Sequence, residues 1–136
     1  VLEDNTSTRY GGGAHIRQGA TISTNNCTFT GNTTSTTGCS GGGIFSYGGS
    51  MTLIDTTFTS NTGHHHGGGV AAWHAGGTHL ISNCNFNDNQ TLDSNSSGGG
   101  LYLNSCTLDG ATTAEPGAAN TNSGAANPKR SWLYTS

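Results

Sequence analysis

The chain is predicted to be all-β, folded as a parallel β-helix (β-solenoid) of about four coils with an extended C-terminal tail. Three observations predict this. A pair of short motifs recurs along the chain at near-regular intervals. The segments carrying the motifs alternate apolar and polar residues with a period of two, the strand period. Finally, 30% hydrophobic and 8% charged residues, with 23 glycines, cannot fill an ordinary globular core. Net charge is only −3, so the usual electrostatic partner of low hydrophobicity in disordered chains is missing. Regular backbone pairing with thin, stacked side chains is the remaining way to order it.

The first motif is a triple glycine starting at Gly11, Gly41, Gly67 and Gly98, each followed by an apolar residue: Ala14, Ile44, Val70 or Leu101. The second is Phe-x-x-Asn, found at Phe29–Asn32, Phe58–Asn61 and Phe86–Asn89. Leu2 and Asn5 fit its pattern, and Leu108 keeps the apolar anchor without the Asn. Successive anchors lie 27, 29, 28 and 22 residues apart, a solenoid period. The expected core ladder is Leu2, Phe29, Phe58, Phe86 and Leu108, beside a second column of Ala14, Ile44, Val70 and Leu101. Asn5, Asn32, Asn61 and Asn89 form the expected turn ladder, with amides bonded to turn backbone or to each other.

Two strands per coil are expected. One follows each triple glycine, and the other ends in Cys27/Phe29, Cys84/Phe86 or Cys106/Leu108. Glycine and β-branched Thr disfavour helix throughout. Rungs spaced at about 4.8 Å make a rod about 20 Å long. The solenoid is expected over residues 1–110 and a linker with an apolar tail over 111–136.

The paired Gly-Gly-Ala/Ile and Phe-x-x-Asn motifs, from about Leu2 to Gly110, resemble the repeats of bacterial polymorphic outer-membrane proteins. Similar repeats build large secreted or surface proteins on right-handed parallel β-helices, the architecture shared with pectate lyases. The resemblance implies a right-handed solenoid and a place at the cell surface or outside the cell, as an adhesin, coat or spacer. These residues contain no autotransporter barrel, so membrane insertion is not carried over.

Cys27, Cys84 and Cys106 are expected in one column, with Thr56 at the intervening rung. Cys84 and Cys106 would then sit on adjacent rungs, within disulfide reach. Cys27 would lie two rungs away, about 9.6 Å, which leaves Cys39 as its partner. The expected pairs are Cys27–Cys39 and Cys84–Cys106; the alternative is free thiols stacked as small hydrophobes. Four cysteines in an Asn- and Thr-rich chain favour an oxidising, extracellular setting. Sequons begin at Asn5, Asn26, Asn32, Asn89 and Asn95, of which Asn95 and then Asn26 are the expected glycan acceptors.

No basic stripe exists to bind nucleic acid, since only four residues are Lys or Arg. No apolar run approaches the roughly 20 residues of a membrane-spanning helix. The opening Val-Leu-Glu-Asp-Asn reads as a processed or excised piece. His64–His66 is a candidate metal cluster, with His74 and His79 on the same coil, but consecutive strand residues point apart, which favours a solvated turn. No two of the seven carboxylates fall on neighbouring rungs of one column, and Arg9 and Arg17 stand apart from them. Paired-acid chemistry is therefore not expected, and no cofactor or catalytic residue is assigned. Phe45 and Tyr102 are expected to point outward near Trp73, as an exposed aromatic row that can stack on sugars or protein. In the tail, Trp132, Leu133 and Tyr134 are expected to cap the rod or contact a neighbouring subunit. The reading is a non-enzymatic, self-associating structural or adhesive subunit of a surface filament, with surface glycans as possible partners. The alternative is a carbohydrate-binding or polysaccharide-degrading domain cut from a larger secreted protein.

Overall fold

Period-two alternation decides which side chains turn inward, and the strands follow it. Ile44 and Ser46 face the interior while Phe45 and Tyr47 face out, and each rung repeats this choice. The computed structural model describes residues 1–74 and 77–105, and strand backbone at 107–108, 114–116 and 121–122. All regular structure among these residues is strand.

The strands form four parallel sheets that wrap around one thin core. The first sheet holds Leu2–Glu3, Thr28–Thr30, Thr57–Thr59, Cys84–Asn87 and Ala114–Pro116. The second holds Thr6–Ser7, Thr33–Thr34, Thr62–Gly63, Gln90–Thr91 and Thr121–Asn122. The third holds Ala14–Arg17, Ile44–Tyr47, Val70–Trp73 and Leu101–Asn104. The fourth holds Thr21–Asn25, Ser50–Ile54, Thr78–Ser82 and Thr107–Leu108. Each turn of this parallel β-solenoid of about four coils thus uses four strands where two were expected.

Like residues stack on like. Phe29 pairs in register with Leu2 and Phe58, and Phe58 with Phe86. The Phe29–Phe58 and Phe58–Phe86 rings lie 5.0 Å apart, at 15° and 7°. Ala14, Ile44, Val70 and Leu101 form the second column as expected. Beside the phenylalanines runs the asparagine ladder. Asn32 Oδ1 accepts from the backbone N–H and the Nδ2 of Asn5, at 3.1 and 2.9 Å. Asn61 Oδ1 does the same for Asn32, and Asn89 Oδ1 for Asn61. Each Nδ2 also donates to a backbone carbonyl of the preceding rung: Asn32 to Leu2, Asn61 to Phe29, Asn89 to Phe58. Asn32, Asn61 and Asn89 are fully buried, and this bonding is what makes their burial tolerable.

The third glycine of each run explains why the two motifs travel together. A Cβ placed on Gly43 would lie 3.0 Å from Phe58 Cδ1 and 3.5 Å from Asn61 Cγ. At Gly69 it would meet Phe86 and Asn89 in the same way. The glycine wall is therefore the surface on which the Phe and Asn columns pack. Coil corners need left-handed backbone, which Asp4, Ser60 and Asp88 supply at one corner and Asn26, Asp55, Asn83 and Ser105 at another. Short polar side chains that bond locally tolerate this conformation best.

Three expectations are corrected here. Leu108 does not continue the phenylalanine column: it pairs with His79 in the fourth sheet, and Pro116 is the register partner of Phe86. Pro116 stands on the last described strand of the first sheet, an edge position that tolerates proline. Parallel pairing does not stop at Gly110, because Ala114–Pro116 and Thr121–Asn122 both extend existing sheets. Cys27, Cys39 and Cys84 are free thiols, so neither expected disulfide forms. Ala114, not Cys106, pairs with Cys84, and Cys106 itself lies outside the described residues. Cys27 and Cys84 instead direct Sγ at the carbonyls of Asn25 and Ser82, two residues back. Thr56 does the same to Ile54, so the odd rung makes the same bond as its neighbours.

The ladder yields a prediction. Replacing Asn61 with Asp sets a carboxylate against the Phe29 carbonyl and Asn89 Oδ1, all acceptors. Asn61→Asp is expected to cost about 3 kcal/mol or more at pH 7, within the range for an unsatisfied buried polar or charged group. Burial raises the new carboxyl's pKa, and its protonated form regains one donor. The deficit relative to the parent chain should therefore narrow from pH 7 to pH 4 in urea unfolding.

Candidate functional site

The outer face of the third sheet is where the repeat stops being uniform. Outward columns are His15/Phe45/Ala71/Tyr102 and Arg17/Tyr47/Trp73/Asn104. Phe45 and Tyr102 do point outward, but the expected exposed row is corrected: they are only 2% and 5% accessible. Loops leading into the triple glycines fold over them. Tyr10 stacks on Phe45 at 4.4 Å and 21°, and His66 stacks on Tyr102 at 4.2 Å and 8°. Trp73 fills the space between, 6.1 Å from Phe45 and 6.3 Å from Tyr102.

The loops stack as rungs of their own. His65 N donates to Cys39 O at 2.8 Å, and Asp93 N to His64 O at 2.9 Å. Thr34 Oγ1 accepts from His64 N, and Ser40 Oγ from His66 N. His64–His66 is thus a half-buried layer of this cover, not the solvated turn expected. The His65 and His66 rings pack 3.7 Å apart. Among the described residues no three metal-ligating side chains converge. Ser97 N donates to His66 Nδ1 at 2.9 Å, which requires that nitrogen to be unprotonated. Burial, reinforced by His65 and opposed by Asp93, lowers the His66 pKa to about 4. His79, grouped with these residues in the sequence, lies elsewhere. It is buried inside the coil in register with Met51, its Nδ1 without a partner, and burial lowers its pKa.

At the first two coils the cover opens into a depression of about 710 Å³. Arg9, Tyr10, His15, Arg17, Phe45 and Tyr47 line it, together with Thr8, Thr36 and Cys39. Arg17 is the register neighbour of Tyr47, and His15 packs edge-on against Phe45 at 5.3 Å. Tyr47 is 43% exposed and is propped by an edge contact with His74 at 4.6 Å. Burial and the Arg17 charge lower the His15 pKa, so its ring is neutral near pH 7. Sequence reasoning had Arg9 and Arg17 only as isolated charges. The available signal was the outward pair His15/Arg17, one rung from Phe45/Tyr47.

Residues 26–47 match the Chlamydia polymorphic membrane protein (Chlamydia_PMP) repeat. The chain carries a repeat of that type. The matched stretch runs from the corner at Asn26 through Phe29 and Asn32 to the glycine run and the strand ending at Tyr47. No curated protein and no solved structure matches the chain. The remaining predicted residues divide clearly. Asn26 and Asn95 are exposed, whereas Asn32 and Asn89 are buried in the ladder and closed to a glycan. Trp132, Leu133 and Tyr134 lie outside the described residues. No helix among the described residues is long and apolar enough to cross a membrane.

Four histidines with lowered pKa values, His15, His65, His66 and His79, set a pH dependence with a definite sign. Below about pH 6.5 the unfolded chain binds protons that folded His66 refuses until about pH 4. Stability is therefore complete above pH 6.5 and falls as the pH drops toward 4. His79 acts in the same direction. His79→Met, matching Met51 one rung away, should raise the urea midpoint at pH 7 and flatten the acid decline. His66→Phe keeps a ring on Tyr102, starts lower because Ser97 N–H loses its acceptor, and also declines less.

Proposed function

We propose that the chain is a non-enzymatic, surface-located structural and adhesive β-solenoid whose coils stack end to end into a filament. The polymorphic membrane protein repeat and the solenoid fold both fit a surface-protein role. One observation carries the stacking reading. Among the described strands, Leu2–Glu3, Thr6–Ser7, Ala14–Arg17 and Thr21–Asn25 each stand at the end of their sheet, so the four edges at this end face one direction. An incoming coil can add there by the same parallel pairing, whether it comes from a second copy or from the same polypeptide. Ile22 and Leu2 are half-buried at this end and supply its apolar contact. The tail residues Trp132, Leu133 and Tyr134 are the proposed contact to a neighbour, and Asn26 and Asn95 the proposed glycan sites.

The acids support a non-catalytic role. Asp4 and Asp88 share one corner column three rungs apart, about 14 Å by strand spacing, beyond the separation of paired catalytic carboxyls. Asp55 Oδ1 is engaged by Asn83 Nδ2. A polysaccharide-degrading reading would need acids grouped in one cleft, and the depression contains none.

Electron microscopy and sedimentation velocity test the assembly. The 136-residue chain should form concentration-dependent rods. Ile22→Lys should change the unfolding free energy by no more than about 1 kcal/mol, as for a half-exposed site, and abolish the rods. A chain that stays monomeric at all concentrations would defeat end-to-end stacking of copies.

A further inference from the structure

The depression at the first two coils gathers cationic and aromatic side chains without an acid. The whole chain has four Lys or Arg residues and a net charge of −3, yet two of those four cations, Arg9 and Arg17, line one depression. No acid lines it with them. Among the described residues neither guanidinium has a carboxylate partner. Unpaired arginines on a weakly acidic protein are poised for an external anion, and their planar donor forks suit carboxylate or sulfate oxygens.

The second feature is aromatic. Tyr47 is partly exposed beside Arg17, and Tyr10, which also lines the depression, is fixed by its stack on buried Phe45. Rigid tyrosine faces bind the apolar face of a pyranose while their hydroxyls meet its rim. Thr8 and Thr36 add hydroxyls to the lining. The volume, about 710 Å³, suits a short oligosaccharide rather than a single ion. His15 is neutral and can donate or accept without adding charge.

We propose that this depression binds an anionic sugar, a pyranose bearing a carboxylate or sulfate, with Arg9 and Arg17 on the anionic group and Tyr47 and Tyr10 on the ring. The inference rests on the adhesive reading above and names the chemistry that would be gripped.

Calorimetric titrations with a galacturonate trisaccharide, 3′-sialyllactose and a heparin tetrasaccharide separate the sources of anionic sugar. Maltotriose and lactose are the neutral controls, and inorganic sulfate the control for a bare ion. At least one acidic sugar should bind at least tenfold more tightly than the neutral sugars and sulfate, and weaken as salt rises. Arg17→Gln and Arg9→Gln, both at exposed positions, should each lower that affinity about tenfold with unchanged unfolding midpoints. Arg17→Lys should recover part of the loss, and Tyr47→Ala should weaken binding at constant charge. Equal binding of acidic and neutral sugars, sulfate binding as tightly as sugar, no binding at all, or indifference to both Arg→Gln changes would overturn the proposal. A surface-adhesion assay on the same proteins keeps the two claims apart. Adhesion by the unmutated chain without any acidic-sugar binding sinks this inference alone. Acidic-sugar binding without adhesion sinks the adhesive reading and leaves the site intact.

Discussion

Everything in this solenoid depends on keeping successive rungs in register, and the asparagine ladder is the interaction that enforces it. Each Asn Oδ1 accepts two donors from the same residue one rung below, its backbone N–H and its side-chain Nδ2. A slip of one residue would break both bonds and bury the freed donors, at a cost well above that of a lost surface contact. Once the register is held, the phenylalanine column follows, with its 5.0 Å ring spacing. The facing wall must then be glycine, because Gly13, Gly43 and Gly69 lie against those rings. The two motifs are opposite walls of one coil, 17 to 19 residues apart along the chain.

The same logic explains how a chain with so few large apolar residues builds a buried interior. Thr24, Thr34, Ser46, Thr56 and Thr91 are buried alongside Ile, Leu and Met. Several bond locally: Ser46 Oγ to Gly49 O, Thr34 Oγ1 to Cys39 O, and Thr24 Oγ1 with Thr56 Oγ1. Small hydroxyls satisfied by adjacent carbonyls let the sheets approach closely, which bulky side chains would prevent. Cysteine enters this scheme as a hydroxyl substitute. Cys27, Thr56 and Cys84 all direct their donor at the carbonyl two residues back, so the column is chemically uniform despite its mixed composition.

The parts legible in the sequence were those with large or chemically singular side chains at fixed spacing. Phe29, Phe58 and Phe86, the asparagines, and the first apolar residue after each glycine run all stand in the expected columns. The strands of the second sheet escaped notice because two residues such as Thr33–Thr34 show no periodicity. Leu108 was placed in the phenylalanine column because it is apolar and follows a Cys-Thr pair. Pro116 restores an 18-residue spacing from Gly98, but proline carries no strand signal. The disulfides were misjudged because spacing alone cannot separate a thiol that bonds its own corner from one that bonds another thiol. Aromatic cover over Phe45 and Tyr102 was invisible for a different reason: it comes from loops that meet the strand only after the coil closes.

Those loops also show where the repeat allows variation. From ladder Asn to first glycine the chain takes six residues at Asn5–Gly11 and Asn61–Gly67, but nine at Asn32–Gly41 and Asn89–Gly98. Glycine run to first-sheet anchor varies by only two residues. Length is tolerated there because those loops lie on the outside of the third sheet, where no interior column constrains them. Over the later coils the loops close down on the sheet and on each other, His66 on Tyr102 and His65 on Cys39. Over the first two coils they leave Arg9, Arg17 and Tyr47 standing around an open depression. The ladders make every rung alike, so the variation between coils gathers on the outer face of the third sheet and in the loops over it, where Arg17 and Arg9 stand.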